Sequence, residues 1–250
     1  MVEEYMPRTT MKKITINFMK DEYKSIGCFC YFKDQSNYDH ARKRLHIKEQ
    51  NHLSCLKYEK RQKSYILGRY CAKRAISGYL DEEDAMYISI DQGVFNQPII
   101  IGSNDENLQV SISHCGNFGG AIVYEERFLM GLDIERIDER NRSTLENEMT
   151  TEEKVIVASL PFETNYGLTL YWTAKEALSK ALKTGLMTPF SIYEINKIQI
   201  EEGYASCYFK FFAQYKTRSF HIGQYMCSIV YPKNIEIDID VENISMLLNV

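Results

Sequence analysis

The chain has 250 residues, 44% hydrophobic and 26% charged, the balance of an ordinary folded protein with enough length for a sizeable core. No stretch approaches the roughly 20 apolar residues of a membrane span, and Met1 to Lys13 mixes charged and polar residues without an apolar signal-peptide region, so the expectation is a cytoplasmic protein without membrane contact. A formal net charge of −4 argues against a nucleic-acid binder.

That charge is unevenly placed. Between Arg42 and Arg74 eleven basic residues stand against Glu49 and Glu59, a local +9 that leaves −13 for the remainder. A basic patch on an acidic chain suits a compact polyanion. The seven cysteines are scattered with no C-x-x-C pair and no zinc-module spacing, and read as free thiols.

In chain order, Lys12–Phe18 and Gly27–Phe32 are short β-prone runs. From Tyr38 to Leu80 the pattern is helical, and Lys63–Ala75 sets Tyr65, Ile66, Tyr70 and Ala72 among basic residues. Asp91–Ile101 contains Gly93 and Pro98 and reads as a turn feeding a strand. Three strands follow, Gln109–Ser113, Gly120–Tyr124 and Phe128–Ile134. Thr150 and Thr151 followed by Glu152 and Glu153 mark a helix start, and a second helix over about Leu168–Lys183 stops at Gly185. The remainder is strand-rich, at Ile198–Ile200, Ala205–Phe212 and Tyr225–Val230.

The segment from His114 to Tyr124 resembles that from His221 to Tyr231, with five of eleven positions identical. Hairpin strands are alike in composition, so chance is one explanation; the other is an α+β chain of two similar halves related by a pseudo-twofold, each an antiparallel sheet packed with a long helix, with a cleft where they meet. The halves are residues 1–126 and 127–250.

Two segments can carry chemistry. In Gly131-Leu-Asp-Ile-Glu135 a strand puts Asp133 and Glu135 on one face, with Leu132 and Ile134 in the core. Two carboxylates that close repel unless a proton or cation lies between them, and an all-oxygen set suits a hard ion such as Mg²⁺. A solvated outer face is the plainer alternative. In Trp172-Thr-Ala-Lys-Glu-Ala-Leu-Ser-Lys180, Trp172, Glu176 and Lys180 are four apart and share one helix face. A surface Glu–Lys pair beside a core tryptophan would look the same.

Together, G-L-D-I-E and W-T-A-K-E-A-L-S-K resemble the signature of the Sfp-type 4′-phosphopantetheinyl transferases. Ser111-Ile-Ser-His114 resembles that family's S-H strand, and Arg61–Lys73 its coenzyme A-binding helix; the resemblance spans roughly residues 45–190. Asn96 stands where the family has glycine, Gln97 where it often has lysine, and Met149 where an aromatic precedes the T/S-x-x-E motif.

The resemblance implies a 4′-phosphopantetheinyl transferase fold and transfer of the phosphopantetheine arm of coenzyme A to a serine of an apo acyl or peptidyl carrier protein. It implies Asp133, Glu135 and Glu176 as ligands of Mg²⁺, or Mn²⁺ in its place. Lys180 becomes a cation for the pyrophosphate, and Lys175 either a second such cation or a solvated helix residue. Glu153 becomes the base, acting on the carrier serine directly or through a metal-bound water, or a helix N-terminal carboxylate, two roles that can coexist in one residue. Arg61, Lys63, Arg69, Ser113 and His114 become contacts to coenzyme A. The enzyme is expected to be a monomer; its carriers, in nonribosomal peptide, polyketide or fatty-acid synthesis, are not distinguished. The rival readings are a Mg²⁺-dependent nuclease and a coenzyme A- or carrier-binding module without catalysis.

Overall fold

The computed structural model describes residues 6–103 and 107–248, which form a mixed α+β chain with antiparallel sheets. The chain divides into two compact units, Met1–Arg127 with Ile237–Val250, and Phe128–Glu236.

In the first unit, β1 (Arg8–Phe18) and β2 (Asp21–Tyr31) pair in full antiparallel register. Three helices follow, α1 (Gln35–Arg42), α2 (Ile47–Cys55) and α3 (Glu59–Leu80). The helical pattern over Tyr38–Leu80 is thus broken twice. Asp34 caps α1, and His46 with Glu49 forms a capping box that starts α2 anew. Leu56 and Tyr58 are extended, which ends α2 before α3 begins. Next come β3 (Ser89–Gln92) and β4 (Pro98–Ile101), a hairpin where the sequence suggests one turn and one strand. Asn96 adopts φ +62°, a left-handed conformation that asparagine tolerates, so it serves in place of a glycine. Gln97 accepts a hydrogen bond from the Phe95 N–H at 2.9 Å and so closes the same turn. β5 (Leu108–Cys115) and β6 (Phe118–Glu125) complete the strands before the second unit.

The first sheet runs β12-β1-β2-β6-β5, where β12 (Glu236–Asp238) comes from the end of the chain. The terminal residues, expected with the second half, therefore cluster with the first. Lys12 pairs with Asp240 at 2.9 Å, and α7 (Val241–Ser245) follows. α3 packs on β2, β5 and β6, burying Ile66, Leu67, Tyr70, Cys71, Ala75 and Ile76 at helical spacing.

In the second unit, β7 (Gly131–Arg136) precedes α4 (Arg142–Asn147), α5 (Thr151–Ser159) and α6 (Thr164–Ala181). β8 (Ile195–Glu201), β9 (Tyr204–Phe209), β10 (Tyr215–Ile222) and β11 (Tyr225–Pro232) follow, in an antiparallel sheet of order β7-β11-β10-β9-β8. α6 packs on β7, β10 and β11 over a core that includes Leu170, Tyr171, Ala174, Leu178, Met226 and Val230. Met149 is buried in this core, an apolar replacement for an aromatic. The helix ends earlier than Gly185. Lys183 takes the left-handed position at φ +57°, with Lys183 N–H donating to Lys180 C=O and Thr184 N–H to Ser179 C=O, the two bonds of a Schellman motif.

The internal sequence similarity has a structural counterpart. His114–Tyr124 and His221–Tyr231 each form a hairpin with a two-residue turn led by a left-handed glycine, Gly116 at φ +59° and Gly223 at φ +56°. In both units the second strand of that hairpin pairs with the strand that opens the sheet's other side, β2 or β7, and a long helix covers the sheet.

Candidate active site

The strand alternation puts Gly131, Asp133 and Glu135 on the side of β7 that α6 covers. A Cβ added at Gly131 would lie 1.9 Å from the Ala177 carbonyl oxygen, which shows how closely helix and strand approach. Asp133 is buried and its Oδ1 accepts from Lys180 Nζ at 2.7 Å. Leu132 and Ile134 occupy the opposite face and are fully buried too. The carboxylates therefore belong to a packed interface between strand and helix, and the solvated-face alternative fails.

The helix contributes its half through one stripe. From Gly167 to Ala181 every residue is buried except Trp172, Glu176 and Lys180, which are half-buried. Trp172 stacks on Phe190, with ring centroids 4.7 Å apart and planes at 18°. Glu176 is pushed up to about 7 by burial, then by the charges of Asp133 and Glu135, against the pull of Lys180. Negative charge is thus concentrated where a cation would relieve it. Among the described residues no three carboxylate, imidazole or thiol groups converge in a preformed metal cluster. Lys180 pairs with Asp133, and the all-oxygen donor set that Glu176 completes is of the kind a hard cation prefers.

Glu153 and Lys175 are placed differently. Glu153 has no exposed surface, and both its oxygens are engaged. Oε2 accepts from the Thr150 N–H at 2.9 Å, as the returning half of the α5 capping box, and from Lys175 Nζ at 2.6 Å. Oε1 accepts from the Ile195 N–H at 2.8 Å, where β8 begins. Lys175 is buried, not solvated, and its ammonium lies below the usual lysine range because desolvation outweighs the attraction of Glu153. Of the two sequence readings of Glu153, the helix N-terminal carboxylate has its full geometry.

The candidates in the first unit separate into two groups. Lys63 pairs with Glu59 at 2.7 Å and lines a groove of about 300 Å³ with Tyr38, Lys60, Ser64, Gly116 and Asn117. Arg61, on the same turn of α3, is exposed. Ser113 and His114 lie at the end of β5 just before that turn, and the His114 ring sits against α3 at Gly68. Arg69 points elsewhere. Its guanidinium lies 4.7 Å from the centre of the Tyr65 ring, and its Nε is 3.8 Å from Glu49.

Three residues of this framework are not among the candidates drawn from the sequence. Ser228 lies directly opposite Asp133 in the β7–β11 register and shares a buried hydroxyl contact with Thr173 at 2.8 Å. Glu49 and Lys73, read only as part of the charge balance, are both buried and paired at 3.2 Å. The spacing of His46 and Glu49, like that of Thr150 and Glu153, is the one sequence signal available here, and it marks Glu49 as the closing carboxylate of a cap.

No match was found among curated proteins. The segment from Leu129 to Val230 matches the family model of the 4′-phosphopantetheinyl transferase superfamily, and it encloses β7, α6, all three carboxylates and Lys180. Residues 129–230 are thus similar to the 4′-phosphopantetheinyl transferase superfamily, over a segment that holds every member of the carboxylate set.

Proposed function

We propose that the protein is an Sfp-type enzyme that transfers the 4′-phosphopantetheine arm of coenzyme A to a serine of an apo carrier protein in a Mg²⁺-dependent reaction. The serine oxygen forms a bond to the phosphorus next to the pantetheine, the bond from that phosphorus to the bridging oxygen breaks, and adenosine 3′,5′-bisphosphate leaves. The serine proton passes to solvent. The observation that carries this reading is the match over residues 129–230, inside which Asp133, Glu135 and Glu176 bring their charges together beside Lys180.

Asp133, Glu135 and Glu176 would hold the ion, which when bound offsets charge on the leaving diphosphate. Lys180 already offers its ammonium at this place, and a diphosphate would compete with Asp133 for it, stabilising the negative charge that grows on the leaving oxygens. Lys63, Arg61, Ser113 and His114 are the proposed contacts to coenzyme phosphates in the first unit. Lys175 and Arg69 are committed to Glu153, and to Tyr65 and Glu49, and are not assigned to the substrate. The nuclease reading is disfavoured because Glu176 and Lys180 lie one turn apart on a helix, not two apart on a strand.

The test is incubation of the protein with coenzyme A, Mg²⁺ and several apo carriers, followed by intact mass. Gain of one phosphopantetheine on a carrier, abolished by a chelator, supports the reading; no gain on any carrier overturns it.

A further inference from the structure

The Glu153–Lys175 pair occurs twice in this chain. In the first unit Glu49 closes the α2 capping box by accepting from the His46 N–H at 2.9 Å, as Glu153 does for Thr150. Its other oxygen accepts from the Ile90 N–H at 2.9 Å, on β3, as Glu153 accepts from Ile195 on β8. Lys73, buried on the long helix α3, pairs with Glu49 at 3.2 Å, as Lys175 on α6 pairs with Glu153 at 2.6 Å. Each assembly ties a helix start, a strand and the covering helix through one buried carboxylate.

The surroundings of the two assemblies differ in a telling way. Matching the hairpins His114–Tyr124 and His221–Tyr231 puts Ala121 against Ser228 and Gly119 against Met226. Ala121 pairs with Cys28 and Ser228 with Asp133; Gly119 pairs with Cys30 and Met226 with Glu135. Cys28 and Cys30 therefore hold the places of Asp133 and Glu135. Matching Lys73 to Lys175 puts Arg74 at the place of Glu176, and the Arg74 charge acts on both thiols, as the Glu176 environment is shaped by both carboxylates. The first unit has lost every carboxylate of the candidate site and kept the whole Glu–Lys–strand tie.

A group retained where there is no metal set to serve has an architectural task. We infer that Glu153 is a positioning residue, which acts through Lys175 on the turn of α6 that carries Glu176, and does not take the serine proton. The kinetic part of this inference rests on the proposed transfer; the structural part does not.

Two measurements test it. In thermal unfolding, Glu153→Gln and Lys175→Met each leave one buried partner without its counter-charge and lower Tm by roughly 6–20 °C. The double variant removes both charges and recovers at least half of that loss. Glu49→Gln, Lys73→Met and their double variant repeat the pattern in the first unit. Additive losses in the double variants overturn the tie, whether or not the protein transfers phosphopantetheine.

In transfer kinetics below the lowest Tm, Glu153→Gln keeps the acidic limb of the kcat/KM pH profile and raises the Mg²⁺ concentration for half-maximal rate by about 10-fold, the effect of disturbing a support behind a metal ligand. Glu49→Gln leaves that Mg²⁺ requirement unchanged. If Glu153→Gln is too unstable to assay, the Glu153→Gln, Lys175→Met double variant takes its place. Loss of the acidic limb with kcat down by about 10²- to 10⁴-fold and an unchanged Mg²⁺ requirement would identify Glu153 as a base and overturn the inference. Absence of transfer by the wild-type chain overturns the proposed function and leaves the unfolding cycle to decide the tie.

Discussion

At Gly131 the strand lies against the helix backbone, and Gly131→Ala tests whether that closeness builds the site. The added methyl would lie 1.9 Å from the Ala177 carbonyl oxygen and 2.8 Å from the Ala181 nitrogen. Ordinary contact begins at 3.4 Å, so α6 would have to move off β7 by about 1.5 Å. Both obstacles are backbone atoms, which no rotamer change can clear. Overpacking of this kind costs about 3 kcal/mol, a Tm loss of roughly 6–12 °C in a chain of this size. The same displacement carries Glu176 and Lys180 away from Asp133, and a misplacement of about 1 Å costs on the order of 10²-fold in rate. Thermal unfolding and carrier-transfer kinetics at fixed Mg²⁺ measure both quantities. A variant within about 2 °C of wild type and within about threefold in rate would refute the claim that this approach sets the site.

Asp133→Asn removes the buried carboxylate proposed as a ligand and the partner of Lys180, and transfer is expected to fall more than about 100-fold with the far-ultraviolet spectrum unchanged. Retained activity would exclude Asp133 from the metal set. Thr150→Ala deletes the hydroxyl that accepts from the Glu153 N–H at 3.2 Å, and costs about 1 kcal/mol, seen as a Tm lower by roughly 2–4 °C. Asp240 is held down to about 2 from 3.8 by hydrogen bonding from Asn243 and then by Lys12. Because the folded value is the lower one, its stabilisation is complete above about pH 4 and is lost as pH falls to about 2. Asp240→Asn should therefore flatten that stretch of the Tm–pH profile, and an unchanged slope would refute the assignment.

How far the site could be read without coordinates follows from the range of the interactions involved. The pairing of Asp133 with Glu135 needs only strand alternation, and the Trp172–Glu176–Lys180 stripe needs only the helical period, so both are legible locally. The repeated hairpin is legible because a left-handed glycine and its flanking residues recur. Glu153 is half legible. Its cap lies three residues away, but its bond to Ile195 crosses 42 residues and its bond to Lys175 crosses 22, and those decide that no oxygen is left over. Lys73 shows the converse error. Its charge counts toward a surface patch in the sequence, whereas burial and Glu49 make it a core group. The return of β12 to the first sheet has no local signature, since it depends on which exposed edge strand remains available.

Trp172 is the single tryptophan among 18 tyrosines and 12 phenylalanines. It is half-buried, stacked on Phe190, and one helical turn before Glu176 on the same stripe. Light absorbed beyond the tyrosine band is therefore emitted from one place in the molecule, beside the carboxylates. The chain carries its own fluorescent reporter, and titrating Mg²⁺ or coenzyme A while following its emission would count binding events at this site without a label, a coupled enzyme or a carrier protein.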